Sequence, residues 1–385
     1  MTPKQHRRRG QILCLVIFVV ALHTVPRFWC GRQASALYNA HPATVQPLAR
    51  GVSIWVNGGV HDSDFHTGSA LFNAEWTFGS YFMAGMGLAQ LVLQTPTLRG
   101  HYLPVIEACI EKLIHSSTRQ FDTTAWKADA LRTLSSGQGH AAYLGDLNLL
   151  LGLYRQVRQD NQRINKLNRR ISKALARRLH KSATGLLETY PGQVYPVDNA
   201  AVVGSLALFD RAEGTSHKVL LQAWGETLKR RYIHPASGLL YQAVDADTGA
   251  PRDKPRASGT ALAAYFLSFS HRSLSAELFA GLKASCGTSL LGFGLINEYP
   301  STVEGGRGDI DSGPVILGYS FSGTGFALAP AKIHGDQELF ADLFSTAYLM
   351  GAPHQEAGIR NFVAGGPLGN AILLAMITAG PGASW

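Results

Sequence analysis

The stretch GHAAYLGDLNLLLGLYR, residues 139–155, decides the fold. It is rich in Ala, Gly and Leu, and its only charged residues are Asp146 and Arg155. Segments of the same character recur at 198–210 (DNAAVVGSLALFD) and 257–269 (ASGTALAAYFLSF). A helix that is apolar nearly all round packs on every side. These three segments are therefore predicted to be inner helices of a larger assembly.

Polar helices alternate with the apolar ones. Segments 161–181 (NQRINKLNRRISKALARRLHK) and 219–231 (VLLQAWGETLKRR) are basic and amphipathic, as expected of helices that face solvent. Inner and outer helices in strict alternation, with a period of about fifty residues, indicate a repeat architecture. The predicted fold class is all-α: an (α/α)6 toroid.

The expected helices can be placed from the helical spacing of apolar residues. They cover roughly 75–94, 101–117, 137–156, 160–180, 198–211, 216–230, 256–270, 273–284, 313–332, 336–350 and 366–379. A helix before residue 75, or a split segment, would make twelve. Residues 33–50 are expected to be an irregular lead-in. Segment 232–255, with a turn near each end, predicts a small β-hairpin at the rim.

The N-terminus predicts a targeting segment. KQHRRRG precedes the apolar run ILCLVIFVVAL (12–22), as in signal sequences. No small-x-small cleavage site follows closely, so an uncleaved signal anchor is preferred over a cleaved signal with an unusual site. The positive-inside rule then places the body outside the cytoplasm. The predicted organisation is an anchor over 1–32 and a barrel domain over 33–385, on the periplasmic side of an inner membrane.

Charge and motifs exclude several function classes. The net charge is +9, but six of the basic residues lie in the first 32 positions, so a nucleic-acid groove is not expected. The sequence has no HExxH, P-loop, Rossmann fingerprint or GxSxG elbow. The HDSDFH stretch (61–66) is interpreted as a solvated loop rather than a metal site. No cofactor or metal is predicted, and the expected partners are a small-molecule or glycan substrate and the membrane.

Several motifs resemble, in order, those of the linalool dehydratase/isomerase family. They are GDLNLLLGLYR, YPVDNAAVVGSLALFD, HPASGLLYQAVDADTGAP, GDIDSGPVILGYSFSGTGFALA and HGDQELF, and the resemblance covers about residues 72–350. It implies a six-fold α/α barrel that moves water on and off a hydroxylated substrate. The family's pocket cysteines are not matched: Thr189 and Asp198 correspond to them, and Asp146 stands in place of a pocket histidine.

Two motifs supply the predicted catalytic residues, Asp309, Asp311 and Asp198. In GGRGDIDSGP, Asp309 and Asp311 are two apart and can point into one cavity if the segment is extended. Close carboxylates separate in pKa and provide an acid and a base. The alternative for Asp311 is that it only caps the following helix. For Asp198, in YPVDN, the same alternative of helix capping stays open.

Further polar and aromatic residues are predicted to line the pocket. His140 and Asp146 lie in an uncharged inner helix, where such side chains need partners. A buried polar pair without a catalytic role is the alternative. The full set of predicted substrate-binding residues is Trp76, Glu75, His140, Asp146, Tyr195, Asn199, Tyr241 and Glu298.

Three functions remain open from the sequence. The first is an enzyme that adds or eliminates water, or isomerises a hydroxylated substrate, by cofactor-free acid–base catalysis. The second is a glycoside hydrolase or lyase on the same scaffold, since paired carboxylates also cleave glycosidic bonds. The third is a non-catalytic ligand-binding barrel.

Overall fold

The computed structural model describes residues 3–309, 312–313 and 315–380. Within them lie sixteen α-helices and three two-stranded antiparallel sheets. The helices are α1 (Pro3–Gly31), α2 (Ala34–Tyr38), α3 (Pro42–Gly58), α4 (Ala70–Gln94), α5 (Arg99–Ile114), α6 (Gln120–Trp126), α7 (Ala141–Val157), α8 (Gln162–Lys181), α9 (Pro196–Glu213), α10 (Lys218–Arg231), α11 (Ala257–Leu267), α12 (Arg272–Cys286), α13 (Phe321–Phe326), α14 (Leu328–Ile333), α15 (Gln337–Gly351) and α16 (Gly366–Ile377). The strands are β1 (Gly287–Leu290), β2 (Phe293–Ile296), β3 (Val315–Ile316), β4 (Tyr319–Ser320), β5 (Pro353–Glu356) and β6 (Ile359–Phe362).

Six helical segments form a closed inner ring. In order they are α4, α7, α9, α11, the pair α13–α14, and α16, and α16 packs against α4 to complete the circle. Helices α3, α5, α8, α10, α12 and α15 lie outside them. This arrangement confirms the predicted (α/α)6 fold class.

The ring is joined across its seam by a buried polar contact. Gln90 on α4 donates hydrogen bonds to the Ala375 carbonyl oxygen (2.9 Å) and to the Thr378 hydroxyl (3.1 Å) at the end of α16. Its own side-chain oxygen accepts from the Tyr265 hydroxyl of α11 at 2.9 Å. Because buried amides are costly when unpaired, these bonds fix how the first and last inner helices meet.

The pair α7 and α8 shows why inner and outer helices differ. On α8, Ile164, Ile171 and Leu175 are buried while Lys166 and Arg169 are exposed, which gives one apolar face. Helix α7 is buried along nearly its whole length. Asn148 of α7 donates to hydroxyls on α8 and α9, and these bonds set the rotation of α7 within the ring.

The lead-in predicted to be irregular is helical. Pro42 occupies the first turn of α3, where a missing N–H costs nothing. Val45, Leu48 and Val52 then recur at helical spacing and are buried. Helix α3 is thus the additional helix before residue 75. The helix predicted over 313–332 begins later, at Phe321, and is split into α13 and α14.

The predicted rim hairpin over 232–255 is only partly formed. This segment pairs through isolated bridges, among them Tyr241 with Pro255 and Val244 with Pro251. Proline lacks the N–H that a continuous ladder requires, which explains the interruption. The regular hairpins of the described chain lie elsewhere, at β1–β2, β3–β4 and β5–β6.

Helix α1 is long and apolar enough to cross a membrane. Its apolar side chains between Ile12 and Phe18 are mostly more than half exposed. Its C-terminal end packs on α15, where Arg27 forms an ion pair with Asp342 at 2.8 Å. The apolar helix therefore continues directly into a contact with the barrel.

Lys332 is buried inside the ring, and burial lowers the pKa of its ammonium group to about 7. The unfolded chain therefore binds more protons than the folded chain between about pH 7 and pH 10. Stability should rise with pH over that window by about 2–4 kcal/mol. Lys332→Met should remove the rise, as measured by urea unfolding at pH 6.5 and 9. The same slope in both proteins would contradict the assignment.

Candidate active site

Three acidic side chains from successive inner helices converge near the N-terminal ends of those helices. They are Glu75 of α4, Asp146 of α7 and Asp198 of α9, and the carboxylates of Glu75 and Asp198 act electrostatically on Asp146. We call them the carboxylate cluster. Gly145 permits the approach: a Cβ there would lie 3.3 Å from the Asp198 carbonyl oxygen and 3.0 Å from Val202.

The surroundings of Asp146 favour the protonated form of its carboxyl. Burial raises the pKa of its carboxyl well above the ordinary value, and the neighbouring carboxylates Asp198 and Glu75 raise it further. All three residues are nevertheless of intermediate exposure, so solvent reaches part of each of them. Asp146 is thus suited to remain protonated and to donate its proton.

Thr189 and Tyr190 complete the lining. The Thr189 hydroxyl donates to Asp198 at 2.5 Å. The Tyr190 hydroxyl is buried near Glu75 and Asp198, and burial, followed by the charges of these two carboxylates, raises the pKa of this tyrosine. Tyr190 therefore stays protonated and can donate a hydrogen bond. Backbone hydrogen bonds between Gln193 and the residues Thr189 and Tyr190 form a tight turn that fixes the positions of these two residues.

A buried polar pair, His140 and Asp122, lies behind Thr189. His140 Nδ1 lies 2.8 Å from the Asp122 carboxylate, and both residues are almost fully buried. Burial raises the pKa of Asp122, while His140 opposes the rise. The Trp126 ring lies 4.6 Å from the imidazole, and its indole N–H donates to the Thr189 carbonyl oxygen at 3.0 Å. The His140–Asp122 pair is thus connected to Asp198 by a chain of contacts through Trp126 and Thr189.

His140, predicted to lie in the same inner helix as Asp146 but on a different face, is the residue directly before that helix. His140 precedes α7 in a left-handed conformation, with φ 50°, and its partner is Asp122. The segment that leads into α7 packs against the backbone of Glu188. A Cβ at position 139 would clash with the Glu188 carbonyl oxygen, so this position requires glycine. Buried Arg178 holds this entry loop through three of its carbonyl oxygens, including that of Gly139 at 3.1 Å.

Two other predicted residues gather around Arg256 instead. The buried guanidinium donates to Glu298 at 2.8 Å and to both carboxylate oxygens of Asp309, and Ser258 donates to Glu298 at 2.6 Å. Burial opposes the charge on Arg256, but Asp309 and Glu298 outweigh it and raise the pKa of the guanidinium. We call Arg256, Glu298 and Asp309 the arginine cluster. Carboxylates paired in this way are poor proton donors.

The pairing expected between Asp309 and Asp311 remains a prediction, because Asp311 lies outside the described residues. The helix that Asp311 is proposed to cap begins at Phe321, and its N-cap is Ser320, which accepts from the Gly323 N–H at 2.9 Å. The capping alternative for Asp311 likewise stays a prediction, since Asp311 lies outside the described residues. Asp198 lies in the first turn of α9, whose N-cap is Tyr195.

The remaining predicted residues have identifiable partners. The Trp76 ring packs edge-on against Phe65 at 5.8 Å. Tyr195 donates to Gln193 at 3.0 Å, and buried Asn199 ties the loop before α9 to that helix through the backbone of Leu187. Tyr241 pairs by its backbone with Pro255, next to Arg256, and packs edge-on against His234. Asn199 thus serves a structural role as well as any role in binding.

The HDSDFH stretch is engaged in local hydrogen bonds. Asp62 accepts from the Thr77 hydroxyl at 2.7 Å, and Asp64 accepts from the backbone N–H of His61 at 2.9 Å. Across the portion of the chain that the structure covers, no three His, Cys, Asp or Glu side chains are grouped to hold a metal ion.

Sequence reasoning missed Tyr190, Asp122 and Trp126. Tyr190 carried a signal, since it lies in the ETYPGQVYP loop that leads to Asp198. Asp122 and Trp126 carried no such signal, because they lie on α6, a seven-residue helix in the connection between the outer helix α5 and the inner helix α7. Only the folded chain brings α6 beside His140.

Solved structures that share this fold include α-mannanases. The GH76A α-1,6-mannanase from Salegentibacter sp. HEL1_6 is 12% identical over 86% of this chain and 98% of its own, with a TM-score of 0.51. An inactive variant of that enzyme with two consecutive aspartates replaced by asparagine, in complex with α-1,6-mannotriose, is 11% identical over 87% and 99%, with a TM-score of 0.53. No protein-family model matches the sequence. These likenesses show a shared fold, and they do not confirm the chemistry of the linalool dehydratase/isomerase family.

One feature of the mannanase has no counterpart in this chain. The sequence contains no Asp-Asp dipeptide. Its acidic side chains come instead from three separate inner helices.

Proposed function

We propose that this protein is a carboxylate-dependent enzyme that cleaves glycosidic bonds. The observation that carries the proposal is the convergence of Asp146, Asp198 and Glu75, with the Asp146 pKa raised by burial and by its two neighbours. Solved structures of the same fold act on or bind α-1,6-linked mannose oligosaccharides, which supports a glycan as substrate.

The roles follow from the surroundings of each group. Asp146, protonated, would donate its proton to the glycosidic oxygen as the bond breaks. Asp198 would accept a proton from the attacking water, while Thr189 fixes the orientation of its carboxylate. Tyr190 would donate a hydrogen bond to a sugar oxygen.

Elimination of water from an alcohol is the second candidate. Asp146, Thr189 and Asp198 are the positions that the linalool dehydratase/isomerase resemblance places in the pocket, and the structure brings all three together. The same acid and base would protonate a leaving hydroxyl and remove a proton from the adjacent carbon. A chamber accessible only to a compact alcohol would favour this reaction.

We further propose that α1 is a retained membrane anchor. Its exposed apolar side chains and its ion pair to α15 support this view. The basic residues that precede it support a barrel on the periplasmic side.

The test is an assay of the full-length protein in detergent on two substrate panels. One holds α-linked mannose oligosaccharides and other oligosaccharides, with release of reducing ends as readout. The other holds primary, tertiary and allylic alcohols, with alkene formation measured by gas chromatography. Turnover on the first panel alone supports the glycosidase. Turnover on the second alone supports the dehydratase, and binding without turnover on either supports a non-catalytic barrel.

Asp198→Asn should lower kcat by about 10²–10⁴-fold, because the base is lost while the shape of the side chain is kept. Asp309→Asn should lower it by less than about ten-fold if Asp309 only pairs with Arg256. The matched control is Asp247→Asn, a change at an exposed loop aspartate. A larger loss at position 309 than at position 198 would move the catalytic role to Asp309.

A further inference from the structure

The tip of the β1–β2 hairpin has features that are unfavourable in water. Leu290 and Leu291 are 60% and 52% exposed at this tip. The register pairs Leu290 with Phe293, which leaves Leu291 and Gly292 as a two-residue loop. Both loop residues have positive φ, 56° and 79°. Asparagine or glycine normally occupies the first of these positions, and a leucine there is strained.

The same tip is held against the membrane-proximal end of α1. The Arg27 side chain donates to the Gly292 carbonyl oxygen at 3.3 Å and pairs with Asp342 of α15. Phe28 and Trp29 follow on α1 and are 77% and 59% exposed. Arginine and aromatic residues directly after an apolar span mark the level of the membrane surface. The hairpin tip therefore lies at that level.

We propose that the hairpin tip Leu290–Leu291 inserts into the lipid surface beside α1, so that the barrel rests on the bilayer at two points. The proposal rests on the anchoring role of α1 put forward above. Transfer of two aliphatic side chains out of water is favourable and offsets the strain at Leu291. A second contact also limits how far the barrel can tilt about α1. Lipid is the occupant because α1 already places the bilayer there.

A matched tip elsewhere on the barrel provides the control. The β3–β4 loop is also Leu-Gly, with Leu317 at φ 53° and 91% exposed. It lies beside Asn297 and Glu298, beyond the opposite end of β2, about 15 Å along the strand from the β1–β2 tip. The two tips have the same turn residues and are both exposed. Among the described residues, the β1–β2 tip is the one that accepts a hydrogen bond from Arg27 of α1.

The experiment uses full-length protein in phosphatidylcholine–phosphatidylglycerol nanodiscs. Cys14 on α1 is exposed, whereas the other three cysteines are buried, so an environment-sensitive nitrobenzoxadiazole label on Cys14 reports on the anchor. In a Cys14→Ala background, Leu291→Cys and Leu317→Cys carry the label at the two tips. Lipids with a doxyl quencher in the upper acyl chain are then added, and thermal unfolding checks that each labelled variant is folded.

The proposal expects the label at position 291 to be blue-shifted and quenched about two-fold or more, and the label at 317 to stay unquenched. Quenching at Cys14 without quenching at 291 overturns the hairpin contact and leaves the anchor in place. Quenching at both tips overturns the assignment to this hairpin in favour of general adsorption. Absence of quenching at Cys14 overturns the anchoring proposal and this one with it. Shielding of position 291 from aqueous iodide without lipid quenching would indicate a protein partner, and would also overturn it.

Discussion

Asp146→Asn is expected to lower kcat by about 10³-fold and at the same time to raise the stability of the protein. Asparagine keeps the size of the side chain but cannot donate an acidic proton. It also removes a carboxyl that burial and two neighbouring carboxylates hold out of its favoured ionised state. A gain in the free energy of unfolding is therefore expected at pH 7, because the folded chain no longer holds this carboxyl away from its ionised state.

The pH dependence of stability follows from the same shift. Because the folded pKa of Asp146 is raised, the folded chain holds a proton that the unfolded chain has lost above about pH 4. The Asp146 contribution to stability should therefore decline as pH rises from about 4 to the folded pKa. The difference in Tm between the wild type and Asp146→Asn, followed from pH 4 to pH 8, measures this contribution. A less stable, fully active variant would contradict both the acid role and the burial argument.

Glu298→Ala is expected to destabilise the protein by about 3–5 kcal/mol, since it strips a buried guanidinium of one of its partners. Glu298 is fully buried and joins Arg256 and Ser258. The corresponding fall in Tm is about 4–6 °C for a chain of this size. Glu298→Gln, which keeps a hydrogen-bond acceptor, should lose less than half as much.

Glu226→Ala, at an exposed position on α10, is the control for loss of a surface charge. It should leave Tm unchanged within about 1 °C. A drop after Glu298→Ala no larger than this control would show that Asp309 alone satisfies Arg256.

The fold could be predicted from sequence because its signal is distributed. The inner helices carry few charges and many small residues, and the outer helices are amphipathic, so the prediction of the ring does not depend on any one residue. The prediction of an irregular lead-in was wrong for a local reason. Proline usually interrupts a helix, but Pro42 begins α3 and Pro47 lies within it.

The site was less predictable because its parts are distant in sequence. Asp146 and Asp198 belong to different repeats, and their nearness depends on how closely α7 and α9 pack at Gly145. The Asp309–Asp311 motif was predicted to be catalytic because two acidic residues lie close together in the sequence. In the fold, Asp309 pairs with Arg256, and the sequence around Arg256 gave no indication of this pairing.

The seam between α4 and α16, joined at Gln90, determines when the barrel can be completed. The partners of that glutamine lie at the end of α16, the last helix of the ring, so no portion of the chain that precedes α16 can close the circle. If α1 anchors the chain as proposed, the helices that precede α16 cross the membrane as an open arc with apolar faces uncovered. Such molecules should depend on chaperones until α16 has joined the ring.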